Sequence, residues 1–148
     1  MASKAKQVKL AKSEARKQVQ LQQVASGKPH FRFEKIDRNG KFAFDLSRSD
    51  FKAGLFLDKM MMYSCMTWVD ISKQTHDRGK SKHHYLDNVE RLSKDARDRL
   101  KAIDLEDMAG DLFSFAFTNM LRIVGLRLDD NFYVLWYDPN HEVYPVKR

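Results

Sequence analysis

From Asp111 to Pro145 apolar runs alternate with short polar breaks, a pattern that leaves a three-stranded antiparallel meander as the natural fold of this stretch. Phe113, Phe115 and Phe117 alternate with Ser114, Ala116 and Thr118, so three rings share one face of a strand. Asn119 offers a turn, and Leu121 to Leu128 resumes strand-forming residues with Arg122 near the start. Asp129-Asp130-Asn131 is a run of turn formers between two apolar segments, a hairpin signal. Phe132 to Tyr137 is almost continuously apolar, which predicts a strand covered on both faces, and Asp138-Pro139-Asn140 ends it. His141 and Tyr144 then lie on the segment leaving the sheet.

Upstream, Phe31–Ile36 and Lys41–Leu46 flank Asp37-Arg38-Asn39-Gly40, and the Asn-Gly pair predicts a second hairpin. Ser47 or Ser49 is positioned to cap a helix from about Asp50 to about Lys73. Apolar residues cover much of its circumference, which predicts a central element, with Met60, Met61 and Met62 as core filler and Cys65 as a buried thiol. Val89, Leu92, Ala96, Leu100 and Ile103 follow three- and four-residue steps, the mark of an amphipathic helix that Asp87 can cap. Asp104, Glu106, Asp107 and Asp111 follow as a solvated acidic cluster. The expected class is α+β: a small antiparallel sheet, made of an N-terminal hairpin and the C-terminal meander, packed on two or three helices.

A net charge of +7 over 148 residues suggests a polyanionic partner until the charge is located. Residues 1–28 carry Lys4, Lys6, Lys9, Lys12, Arg16, Lys17 and Lys28 against Glu14, so nearly the whole surplus sits in one basic, helix-prone arm. Residues 29–148 form a single domain on this reading. Lys9, Lys12, Arg16 and Lys17 are candidates for tracking a phosphate backbone, with a solvated tail as the alternative. No run of about 18 apolar residues predicts a membrane span. The basic N-terminus lacks the apolar core of a signal peptide, and a single cysteine fits a reducing cytosol, so a cytoplasmic location is expected.

The segment Thr75–Leu86 is nearly all polar or titratable and connects two predicted helices. His76, His83 and His84 invite a zinc reading, but adjacent histidines rarely serve one ion and no Cys-x-x-Cys pair accompanies them. Arg78, Lys80 and Lys82 beside these histidines fit phosphate contacts better, and Lys80, Lys82, His83, His84 and Arg127 join the arm as candidate nucleic-acid contacts. No metal and no cofactor is expected. The chain has no Walker-type phosphate loop, Gly-x-Ser-x-Gly elbow or zinc-finger spacing.

The order of a charged helix (Asp87–Ile103), an acidic connector, the strand Leu112-Phe113-Ser114-Phe115, a break at Asn119, Leu121-Arg122-Ile123 and a last strand resembles the RelE/HigB-like bacterial toxins over about sixty residues. The resemblance implies a metal-independent endoribonuclease acting on messenger RNA, often on the ribosome, under control of an antitoxin. Arg122 matches the strand arginine such toxins direct at the scissile phosphate, and His141 and Tyr144 match terminal proton-transfer residues. The preceding segments and the arm have no counterpart in that pattern. Two other functions fit the residues: a non-catalytic nucleic-acid-binding module with Phe132, Tyr133 or Tyr137 as stacking surfaces, and a protein-interaction subunit of a phage or bacterial assembly built on the Met-rich helix.

Overall fold

The computed structural model describes Lys12, Ala15, Arg16, residues 27–76 and residues 78–146. Five strands form one sheet in the order β1-β5-β4-β3-β2: β1 His30–Arg32, β2 His84–Tyr85, β3 Leu112–Ala116, β4 Arg122–Leu128 and β5 Asn131–Asp138. The meander forms as the alternation predicts, with β3, β4 and β5 antiparallel and in register from Ala116↔Arg122↔Asp138 to Leu128↔Asn131. Asp129, at a φ of 56°, starts the tight β4–β5 turn. The class is α+β, as expected.

The upstream pairing differs from expectation. β1 runs parallel to β5, which makes the sheet mixed, and Lys41–Leu46 forms no strand. The Asn39-Gly40 turn does exist, with Gly40 at a φ of 86°. A carboxylate, instead of a partner strand, organises the residues around that turn. Asp37 is buried and accepts hydrogen bonds from the backbone of Asn39 at 3.1 Å, from Arg99 at 2.8 Å on both oxygens, and from the Trp136 indole at 2.9 Å. Phe42 then packs against Trp136 on one side, while Phe44 meets Phe51, Phe56 and Tyr137 on the other.

The predicted long central helix is two helices, α1 (Ala53–Ser64) and α2 (Trp68–Ser72). Thr67 breaks it: its extended backbone and its hydroxyl, which accepts from Asp70 N, start a new helix. Neither Ser47 nor Ser49 caps α1, which begins later with Lys52 at its N-cap and no side-chain cap, and Ser47 bonds to Asp45. Met60 is buried as core filler, but Met61 and Met62 face outward, and Cys65 is exposed at the end of α1. Downstream, Asn88 caps a 3₁₀ turn (Val89–Arg91) and Ser93 caps α3 (Lys94–Ala102), so the amphipathic helix starts later than Asp87. Of the acidic cluster, Asp111 is buried and the others are exposed.

The core fills both faces of the sheet. Phe113, Phe115 and Phe117 lie together with Tyr63, Trp68 and Ile71 from the α1–α2 layer. Leu92, Ala96 and Leu100 cover Val124, Leu126 and Trp136 on the opposite face. A bulge adjusts the last strand: Val124 pairs with Trp136 and Gly125 with Val134, so Leu135 is the extra residue. Gly125 is the residue that permits this close approach, since a Cβ there would lie 2.2 Å from the Tyr133 carbonyl oxygen. No helix among the described residues is long and apolar enough to cross a membrane.

Candidate nucleic-acid interface

After α2 the described residues on either side of position 77 pair as a miniature hairpin. Thr75 and Ser81 form an antiparallel bridge, His76 N donates to Lys80 O at 2.9 Å, and Gly79, at a φ of 76°, turns the chain. Lys82 N returns to Gln74 O at 2.9 Å. Beside this hairpin lies an open groove of about 360 Å³ lined by Thr75, His76, Arg78, Lys80, Lys82 and Asn119. Asn119 sits in the β3–β4 turn, so the groove joins two segments distant in sequence.

His83, one residue beyond the groove, has a structural task. It is buried, its Nδ1 accepts from Ala116 N at 3.0 Å, and Nε2 therefore carries the proton donated to Gln74 Oε1 at 2.8 Å. Burial, aided by the charges of Lys82, His76, Arg122 and His84, depresses its pKa to about 3. This neutral ring braces β2 against β3, so the expected nucleic-acid contact at His83 is corrected to a core role. His84 is exposed, and its Nδ1 lies 2.9 Å from Tyr85 O, an arrangement that leaves Nε2 outward.

Arg122 lies on the same face as Val124 and Leu126, near the end of β4. It is 6% exposed, and its Nη1 donates to Thr118 O at 2.8 Å and Leu121 O at 3.3 Å. Asp138 sits opposite it in register, yet its carboxylate is turned to the backbone, accepting from Glu142 N at 2.9 Å and Val143 N at 2.8 Å. Burial raises the Asp138 carboxyl above its ordinary range, against the pull of those two amides and of Arg122. The same two hydrogen bonds close the turn that carries His141, which adopts a φ of 56°. His141 is half-buried, and its pKa falls to about 4 through burial first and then the charges of Arg122, His84 and His76. Its imidazole is neutral near pH 7. Tyr144 is partly buried, with the Arg91 guanidinium 4.5 Å over its ring and the His84 ring at 6.3 Å.

Arg122, His84 and His76 thus all lie within electrostatic reach of His141. Arg127 does not belong to this group. It lies 6% exposed on the other face, 3.8 Å over the Trp68 ring and close to Tyr85 and Phe113, which corrects its expected role as a nucleic-acid contact. Two arm residues are also spent internally. Lys12 and Arg16 pair with the buried Asp111 at 3.1 and 3.0 Å, Arg16 also donates to Gly110 O, and its guanidinium stacks 4.1 Å over Tyr85. Lys9 and Lys17 lie outside the described residues. Phe132 and Tyr137 are sealed in the core, and Tyr133 is partly covered with Arg32 and Lys35 near its ring, so none is an open stacking platform. Among the described residues no group of three or more His, Cys, Asp or Glu side chains is placed to hold a metal ion.

Two participants carry little signal in the sequence. Asn119 reads only as a turn former until the register brings that turn beside the 75–81 hairpin. Asp138 reads as a strand terminator or an ion-pair partner for Arg122, and only the fold turns it toward the His141 turn. No family model, curated protein or solved structure matches the chain.

Proposed function

We propose that this chain is a small RNA-directed protein that cleaves phosphodiester bonds without a metal, with His141 as the proton-transfer group. The observation that carries the reading is geometric: His141 is half-buried on the tight turn that Asp138 closes, at the end of the sheet where Arg122 stands in register with Asp138. A neutral imidazole can take the proton of a ribose 2′-hydroxyl. The oxygen then attacks the adjacent phosphorus, a 2′,3′-cyclic phosphate forms, and the departing 5′-oxygen collects a proton. Tyr144, which faces His84, is the donor assigned to that last transfer. Arg122 acts through its field on the crowded phosphate, because its Nη1 is already held by two carbonyls.

Purified protein incubated with RNA and a chelator tests the reading. The expected result is fragments ending in cyclic phosphate, with cleavage reduced roughly 10²–10⁴-fold in His141→Ala. RNA left intact by the unaltered protein would sink it. The burial of Arg122 favours a second reading, a binding module that holds RNA without cutting it. In that case His141→Ala and the unaltered chain would shift RNA equally in a gel, and neither would degrade it.

A further inference from the structure

We infer that the groove beside the 75–81 hairpin is a separate phosphate subsite, which grips the backbone of a single strand next to the bond presented to His141. Chemistry at the lining comes first. Arg78, Lys80 and Lys82 supply three cations, Thr75 and Asn119 supply neutral donors, and no acidic residue lines the groove among the described residues. No ion pair engages Arg78, Lys80 or Lys82 among the described residues, in contrast to Lys12, Arg16, Arg32, Lys41, Arg48, Lys94 and Arg99.

Rigidity comes second. The Thr75↔Ser81 bridge and the paired turn fix the limb on which Lys80 and Lys82 sit two residues apart, and both line the groove. A cationic cradle held in place by backbone hydrogen bonds loses less conformational freedom on binding than three lysines on a loose loop. Selectivity comes third: among the described residues no Phe, Tyr or Trp lines the groove, and with three cations against the one ring of His76 the lining is suited chiefly to phosphate and sugar.

Continuity with the His141 centre identifies the ligand as a strand. Asn119 follows Thr118, whose carbonyl anchors Arg122, and His76, on the groove wall, is among the charges that His141 feels. One polyanion therefore spans both places, with the groove holding a phosphate that flanks the one at His141. This subsite rests on the proposed action on RNA, but its test needs no cleavage step.

The probe is a fluorescein-labelled, 2′-O-methyl RNA oligonucleotide, which cannot form the cyclic phosphate, titrated by anisotropy at several salt concentrations. The triple variant Arg78→Gln/Lys80→Gln/Lys82→Gln is expected to bind at least about tenfold more weakly. It should also lose about 0.7 from the slope of log K against log salt, the share of the one phosphate that the groove neutralises on a single strand. Arg97→Gln/Lys101→Gln removes charge on α3 and is expected to stay within about twofold. Equal losses in both variants, an unchanged slope in the triple variant, or equal competition by polyglutamate would overturn the subsite. A groove that binds this probe while RNA remains uncut refutes the cleavage reading alone.

Discussion

Arg122 and Arg127 occupy one strand, are each 6% exposed, and both have pKa values lowered by burial, yet the two ends of β4 treat them differently. Arg127 is walled by Trp68, Tyr85 and Phe113, and its Nε has no hydrogen-bond partner among the described residues. Arg122 is anchored by Thr118 and Leu121 carbonyls, stands in register with Asp138, and contributes to the depressed pKa of both His83 and His141. A buried cation is therefore not a functional signature. Among the described residues, what separates the two is the neighbourhood: Arg122 acts on two histidines and is anchored by the Thr118 carbonyl beside the groove residue Asn119, whereas Arg127 is walled by rings.

The bulge between these ends gives the sharpest way to break the comparison. An alanine at position 125 would put its Cβ 2.2 Å from Tyr133 O and 2.7 Å from a carbon of the buried Phe132 ring. Backbone and a core ring are both poor at yielding, so Gly125→Ala is expected to cost on the order of 3 kcal/mol or more. Chemical denaturation should show the midpoint collapsing, with RNA binding and the aromatic packing around Arg127 lost together. Loss at one end alone would mean that the ends are not coupled through this strand.

The meander was legible because period-two alternation survives any choice of neighbours: Phe113, Phe115 and Phe117 share one face, and β5 is covered on both. Less legible were contacts set by a single polar side chain. Asp37 recruits Arg99, sixty-two residues away, and the Trp136 indole, which overrides the hairpin suggested by Asn39-Gly40. Thr67 likewise divides an apolar run whose periodicity gives no hint of a break. At the site, Arg122, His141, Tyr144 and the Lys80/Lys82 limb could be nominated by residue type. Which of them converge could not, because His83 and His84 are adjacent in sequence and only the β2–β3 register sends one into the core and the other outward.

That register supplies the next prediction. His83 has a folded pKa near 3 against an ordinary value of 6.5, so below pH 6.5 the unfolded chain takes up a proton that the folded chain refuses. Its stabilising effect is complete above pH 6.5 and is lost progressively as the pH falls toward 3. His141, at about 4, works in the same direction over a narrower window. Asp37, held below the usual carboxylate range against burial by Arg99, Trp136 and Asn39, loses its contribution only at lower pH, below 3.8. Thermal melts should thus drop between pH 7 and about pH 5. His83→Gln should lower stability at pH 7 by about 1–3 kcal/mol, through the Ala116 and Gln74 partners, while flattening the acid slope. An unaltered slope in that variant would place the titrating group elsewhere.

The smallest effect is expected at the other end of β4. Arg127→Met puts a shorter apolar side chain of similar volume in place of a buried charge whose Nε has no hydrogen-bond partner among the described residues, and gives up the guanidinium contact over Trp68. Replacing buried ionic groups by apolar ones of similar volume is often neutral or stabilising, and the loss of the ring contact offsets part of any gain. The melt should move by no more than about 1 kcal/mol equivalent, and binding of the methylated oligonucleotide should not change. The same substitution at Arg122 removes the cation held by Thr118 O and Leu121 O and relieves the charge acting on His141. There the imidazole pKa, followed by proton NMR, should move back up toward its ordinary value, a shift that Arg127→Met leaves untouched. A common response in both variants would show that the two ends of the strand share one electrostatic environment and that the distinction drawn between them is false.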